Sequence, residues 1–492
     1  MDNYDVIVIG GGNAALCAAI AARERGATVL VIERGTRERR GGSSAFTGGA
    51  FRVAYEGVAD LRRLIPDLSP AEIAASDFGS YTRGKFLDDV MELSQYRSDP
   101  DLSELVVGES LATLSWMRGH GVRFVPIYGR QAFKVEGKFK FWGGLTVEVS
   151  GGGLGLMEAL YGKAEALGVE IFYGMRAIGL LHEGEAGWLV KCVKGAETKR
   201  HRGRSVVLAT GGFHANLEWR AKYLGPNWDL AKVRGSRFNT GDGIRMAMDH
   251  GATAHGNWTG CHSVFYDLNA PQFGDIDLLN QQKNYFTLGI VVNANGERFI
   301  DEGEDFRNYT YSAMGAKVLQ QPGAVAWQVF DQRTVDLLPE EYRVRHATRL
   351  SADTLEELAD KMEGIRKERF LDTVKQFNGA VRTEVAFNPA VKDGRSTVGL
   401  PFPKSNWANP LDRPPFVAYA VTCGITCTYG GLKVNTSGQV MNEDDRPITG
   451  LYAAGELVGG LYYVKYAGGA GLTSGAVIGK IAGNHAAASR AA

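Results

Sequence analysis

Gly10, Gly11 and Gly12 stand in a row near the start of the chain, and Glu33 closes the next apolar run. Glycines so placed serve a dinucleotide: Gly10 permits a tight turn and Gly12 lets a pyrophosphate approach the backbone. Ala15 gives the small side chain where the following helix packs on its strand. An acid about 20 residues further on meets a ribose hydroxyl, and Glu33 there favours an unphosphorylated ribose. Two distant segments add to this. GGSSAFTGG, from Gly41 to Gly49, offers amides and hydroxyls to wrap a pyrophosphate and a flavin edge. GLYAAGELVGG, from Gly450 to Gly460, carries Glu456 and precedes YAGGAGLTSGAVIGKIAG, a glycine turn leading into a small-residue helix. A helix N-terminus there would hold the negative charge of a reduced flavin. Segments this far apart closing on one cofactor are a flavoprotein arrangement, so FAD is expected rather than NAD.

The elements that must position these residues are legible in the apolar pattern. Tyr4 to Ile9 and Thr28 to Ile32 read as buried strands flanking a helix from Asn13 to Arg25. Further short strands lie around Val169 to Phe172 and Leu189 to Cys192, and SVVLAT runs into Gly211 and Gly212. Beyond Gly243 the texture changes, with aromatics, prolines and charged helical stretches prevailing from about Asn257 to about Asn409. Within that stretch Ser351 to Lys361 reads as an amphipathic helix capped by Ser351. From Pro415 the small-residue strand pattern resumes. The expected fold is α/β: a discontinuous Rossmann-like FAD-binding domain, residues 1–256 and 410–492, with an inserted α+β capping or substrate domain at 257–409.

Bulk properties set limits on partners. At 492 residues the chain exceeds what one hydrophobic core usually serves. Lysine plus arginine and aspartate plus glutamate both number 55, leaving no basic excess for phosphates, so nucleic acid is not expected. The five cysteines form an odd set without a CxxC pair, indicating neither a disulfide framework nor a metal site and fitting a reducing cytoplasm. Asp2 and Asp5 argue against a signal peptide, and no run is long and apolar enough to span a bilayer. With no CxxCH haem site and no cysteine cluster, electrons must leave through another molecule: a quinone, a redox protein or oxygen.

In their order, VIVIGGGNAAL, GGSS, LATGGF, GDGIRMA, NANGERFIDE, YGGLKVN and LYAAGE resemble the flavoprotein family of fumarate reductases and succinate dehydrogenases along nearly the whole chain. GNWTGCHS, GERFIDEGEDFRNYTY and the glycine-rich end are most similar to its tricarballylate dehydrogenases, which desaturate a tricarboxylic acid. The resemblance implies FAD ligands at Gly10, Gly12, Ala15, Glu33, Arg34, Gly42, Ser43, Ser44, Thr47, Gly48, Gly49, Ala177, Thr210, Gly211, Asp242, Glu456, Gly469, Leu472 and Thr473. His262 falls where the family binds a substrate carboxylate, and Arg307 near the arginine that transfers the proton. Gln282 and Tyr285 stand where the family relays that proton through glutamate and arginine. Cys427 and Tyr466 stand where a histidine and an arginine clamp a four-carbon dicarboxylate, so succinate and fumarate are not expected substrates. Tyr466 before a glycine-rich turn also resembles the 3-ketosteroid dehydrogenases, in which a tyrosinate takes a proton beside a ketone. With no histidine between Gly41 and Gly49, where succinate dehydrogenases attach FAD, the cofactor is expected to be non-covalent.

The expected chemistry places one C–H near the flavin and its neighbour near a base, the second made acidic by an adjacent carbonyl. Arg307 and His262 would stabilise the developing charge. Free arginine, with a pKa above about 12, is a reluctant base. Tyr466 or Tyr285, lowered from about 10 by a neighbouring cation, is the substitute. The leading expectation is a dehydrogenase of a tricarballylate-type acid. The alternatives are a desaturase of a ring ketone, of 3-ketosteroid or 4-oxocyclohexanecarboxylate type, and a flavin-loaded electron-transfer subunit with no substrate chemistry of its own.

Overall fold

The computed structural model describes residues 3–488; Met1, Asp2 and residues 489–492 lie outside the described residues. Strand Asn3–Ile9 buries Val6, Ile7, Val8 and Ile9, as a central parallel strand must. It pairs in parallel with Val29–Ile32 on one side and with Glu197–Leu208 on the other. Glu170–Phe172 extends the sheet beyond Val29–Ile32, and Pro447–Ala453 lies parallel to the end of Glu197–Leu208, at Val206, Val207 and Leu208. A parallel sheet drawn from such separate stretches is the discontinuous dinucleotide-binding core that the sequence leads one to expect. The first half of Glu197–Leu208 pairs instead with Trp188–Lys194, which pairs with Arg176–His182, forming an antiparallel flap.

Helix Asn13–Glu24 follows the glycine row directly and buries every residue from Asn13 to Ala22. A helix buried all round needs neighbours on every side. One neighbour is the sheet; another is helix Ala470–Ala488. Small residues allow the close crossing: a Cβ on Gly479 or Gly483 would fall 2.4 or 2.1 Å from the carbonyl oxygens of Ala14 and Ala18. The end of the described chain is thereby locked against its beginning, and the N-terminus of the last helix is carried to the glycine row.

The second sheet is organised by one long strand, Phe416–Leu432. It pairs with Lys232–Val233, Ala254–Asp267, Ala326–Phe330 and Arg349–Ala352, and Ile290–Asn293 adds to Ala326–Phe330. The chain rejoins the first sheet at Gln439–Met441, which pairs with Pro447–Ala453, while Ile425, Tyr429 and Leu432 of the long strand pack into the core of the first sheet. The small, apolar run from Phe416 to Leu432 reflects burial inside the second sheet, and a buried strand reads alike in either sheet. Ala254–Asp267 likewise straddles the expected boundary at 257.

Helices Leu355–Lys361 and Lys367–Ala380 cover this sheet, setting Leu358, Phe370, Val374 and Phe377 against Val292, Trp327 and Ala418. The expected cap is corrected. Ser351 belongs to strand Arg349–Ala352, and Thr354 caps the helix, its hydroxyl accepting the N–H of Glu357 at 3.2 Å. Thr354→Ala is expected to lower stability by about 1 kcal/mol, whereas Ser351→Ala stays within about 0.5 kcal/mol; urea midpoints of the two variants check this. Among the described residues no helix is long and apolar enough to cross a membrane.

Candidate active site

Two cavities meet where the sheets face each other. The larger, about 1,490 Å³, is lined by Gly10, Gly12, Glu33, Arg34, Gly42, Ser43, Ser44, Thr47, Ala177, Thr210, Gly211, Asp242, Glu456 and Leu472. Its lining runs from the glycine row and Glu33 to Ser43, Glu456 and Leu472, a course that suits an elongated dinucleotide. The hydroxyls of Thr210 and Thr426 are buried in its wall without partners, as unmet donors to a bound ligand would be. The residues present therefore fit FAD. Five of the expected ligands face elsewhere. Ala15 is buried within its helix, and Gly49 packs on Gly152. Thr473 spends its hydroxyl on the carbonyl of Arg52 at 2.7 Å. Gly48 and Gly469 line the second cavity instead.

The acids of the first cavity differ in state. Asp242 is gripped by Arg176 through two hydrogen bonds of 2.9 and 3.0 Å, which satisfies it within the protein. Glu456 accepts from Thr428 N at 2.9 Å and Asn239 Nδ2 at 3.2 Å, and lies 2.8 Å from His214 Nδ1. His214 Nε2 lies 3.2 Å from the Ser43 hydroxyl, so a single buried histidine joins two expected cofactor ligands. Glu33 accepts the N–H of Gly35 at 2.5 Å; burial pushes its carboxyl up to about 7, against the pull of that N–H and of Arg34. An acid raised in the folded state stabilises it fully below its unfolded value of 4.5 and loses that contribution as pH rises through about 7. FAD-free protein is therefore expected to lose about 2–3 kcal/mol from this group between pH 4.5 and 7. Glu33→Gln should flatten that slope; urea unfolding at pH 5 and 8 reads it, and an unchanged slope would refute the assignment.

The second cavity, about 870 Å³, shares Thr47, Thr426, Cys427, Tyr466 and Leu472 with the first. All four expected catalytic residues, His262, Tyr285, Arg307 and Tyr466, line it. Strand pairing sets His262 opposite Cys427, and the His262 ring packs edge-on against Tyr311 and Tyr466 at 4.9 Å each. Arg307 makes no ion pair with its chain neighbours: Glu304 pairs with Lys465, and Asp305 with Lys392. Instead its guanidinium stacks on Tyr285 at 4.3 Å and donates from Nη2 to the Arg130 carbonyl at 2.6 Å and the Tyr285 hydroxyl at 3.2 Å.

Two electrostatic expectations are corrected. Burial, with Arg234 nearby, drives the His262 imidazole down to about 3, so it is neutral and contributes a hydrogen bond rather than a charge. Burial also raises Tyr285 despite Arg307, and raises Tyr466 well above 10 despite the Gly471 N–H on its hydroxyl at 2.7 Å. Both phenols hold their protons at neutral pH. Sequence reasoning missed Arg130, Arg234 and Glu341, which also line this cavity. For Arg130 a faint signal existed in Gly48, where a Cβ would fall 2.0 Å from its guanidinium. Arg130 is ion-paired with Glu148 and lies 3.8 Å from Glu341.

A family model described as an FAD binding domain matches residues 5–472. Over 491 residues the chain is 26% identical to a probable fumarate reductase of Shewanella frigidimarina, spanning 99% of this chain and 75% of that one. It is likewise 26% identical over 540 residues to a 4-oxocyclohexanecarboxylate 2-dehydrogenase of Sinomonas cyclohexanicum, spanning 96% and 90%. Among solved structures, a 3-ketosteroid Δ1-dehydrogenase from Sterolibacterium denitrificans matches in fold, with a TM-score of 0.75 over 100% of both chains at 22% identity. The chain belongs to the FAD binding domain family, that of fumarate reductase and its relatives, and is an FAD-dependent oxidoreductase.

Proposed function

We propose that this enzyme makes or removes a carbon-carbon double bond beside a carboxylate, in an acid of the tricarballylate type, with non-covalently held FAD. One observation carries the reading. The cavity adjoining the cofactor cleft is lined by three guanidinium groups, Arg130, Arg234 and Arg307, against one carboxylate, Glu341. Arg130 is itself neutralised by Glu148, but no carboxylate lies within ion-pairing distance of Arg234 or Arg307 among the described residues. A surplus of positive charge lining a cavity suits an anion. Bound FAD would supply the two-electron acceptor along the shared wall. Arg307 is fixed at Nη2 and is the group we assign to the proton: its guanidinium gives the proton when the double bond is removed, and the neutral guanidine takes it in the reverse direction, while its Nε remains buried without a partner. His262, neutral, offers a hydrogen bond to a substrate oxygen. Leu472 and the rings of Tyr311 and Tyr466 exclude water around the reacting carbons.

A second reading, ring-ketone desaturation, is favoured by Tyr466. Its hydroxyl accepts from Gly471 N, which leaves its own proton for a ketone oxygen. Anaerobic titration of the yellow protein separates the two, with loss of oxidised-flavin absorbance as the signal. Tricarballylate is expected to bleach it. Bleaching by a 3-ketosteroid or 4-oxocyclohexanecarboxylate alone would overturn the acid reading and move the proton chemistry to Tyr466.

A further inference from the structure

Arg234 enters the substrate cavity from an unexpected direction. It follows the two-residue strand Lys232–Val233, and its backbone N–H donates to the Ile425 carbonyl at 2.8 Å, fixing it beside the strand that carries Thr426 and Cys427. Its Nε is buried and has no hydrogen-bond partner. A buried guanidinium donor left unmet is costly, so a fold that retains one gains where a ligand meets it. Arg307 Nε, His262 Nδ1 and Asn284 Oδ1 are unmet in the same cavity. The two arginines come from separate elements: Arg234 follows the short strand Lys232–Val233 of the second sheet, and Arg307 opens the helical turn Arg307–Thr310. Arg307 is held by Arg130 and Tyr285, whereas Arg234 sits near His262, Tyr311 and Cys427, each of which feels its charge.

We propose that Arg234 is a second anion anchor, so that the substrate carries at least two carboxylates, one met by Arg307 at the reacting end and another by Arg234. This rests on the acid reading and sharpens it, because a substrate with one carboxylate leaves Arg234 unmet. Arg234 binds and orients; the proton belongs to Arg307.

The test uses the FAD-loaded protein and two probes that cannot be desaturated. Citrate is a tricarboxylate whose central carbon bears no hydrogen, and acetate is a single carboxylate. Dissociation constants are read from the perturbed spectrum of the oxidised flavin, for wild type, Arg234→Gln and Arg234→Lys, with FAD content as the check on folding. Arg234→Gln is expected to weaken citrate by about tenfold or more, as loss of a charge-assisted hydrogen bond implies. Acetate binding should stay within about twofold, and Arg234→Lys should recover part of the citrate affinity. Unchanged citrate binding in Arg234→Gln would overturn the anchor, and so would equal weakening of citrate and acetate, the mark of a residue that only shapes the cavity. If citrate binding depends on Arg234 while tricarballylate fails to bleach the flavin, the anchor stands and the acid-desaturase reading falls.

Discussion

Arg307→Ala and Arg307→Lys are each expected to lower the rate of flavin reduction by tricarballylate at least about 100-fold, the span usually lost with a positioned acid or base. FAD content should remain that of wild type, since no contact of Arg307 reaches the cofactor cleft. Lysine fails for a structural reason. The guanidinium is a flat group stacked on Tyr285 at 4.3 Å and over Trp142 at 5.2 Å, while Nη2 donates to two oxygens. An ammonium keeps the charge but not the plane or the second donor set. Tyr285→Phe makes the useful contrast. Its hydroxyl donates to the Arg130 carbonyl at 2.5 Å and accepts from Arg307, so its loss loosens the arginine without removing it. A drop of about tenfold or less is expected there. Anaerobic stopped-flow measurement at saturating acid decides the matter. Retained turnover in either Arg307 variant would take the proton away from this residue.

The contrast between Arg307 and Arg234 shows what the sequence could reveal. Arg307 sits in a stretch whose order resembles a known family, so its neighbourhood was legible, although its partners were not: the adjacent acids Glu304 and Asp305 are spent on Lys465 and Lys392. Arg130 and Glu341 reach the cavity from within the helical turns Tyr128–Gln131 and Glu340–Tyr342, and Arg234 from just after the strand Lys232–Val233, all too short for a periodicity to mark a direction. The glycine row and Glu33 line the first cavity, as their spacing from strand and helix led one to expect, and so does Glu456, which the family resemblance pointed to. The protonation states of His262, Tyr285 and Tyr466 were not, because burial sets them and burial is a property of the assembled sheets. The sheet to which strand Phe416–Leu432 belongs was not legible for a related reason. The strand's small apolar residues announce burial without saying against which sheet.

Glu456→Ala is expected to yield protein that purifies largely without FAD and is less stable by about 1–3 kcal/mol, the cost of leaving buried donors without their acceptor. The carboxylate, 14% exposed, gathers Thr428 N, Asn239 Nδ2, the N–H of Gly212 and His214. Removing it strands those donors beside Ser43 and Gly211, on the wall of the cofactor cleft. Glu456→Gln separates charge from shape. The amide keeps one acceptor but sets its own N–H₂ against a donor, so part of the FAD is retained. A pH signature follows. Burial raises the Glu456 carboxyl, but His214 and the backbone N–H groups outweigh burial and leave it below the usual 4.5. A depressed acid contributes fully above its unfolded value and loses that contribution as pH falls through its folded value. The wild-type fold should therefore lose stability, and with it FAD, as pH falls below about 4.5, whereas Glu456→Gln, already uncharged, should lack that step. Equilibrium dialysis of FAD between pH 3.5 and 7 reads both. A wild-type release curve matched by the Gln variant would show that the acid step arises elsewhere and that Glu456 acts through its shape alone.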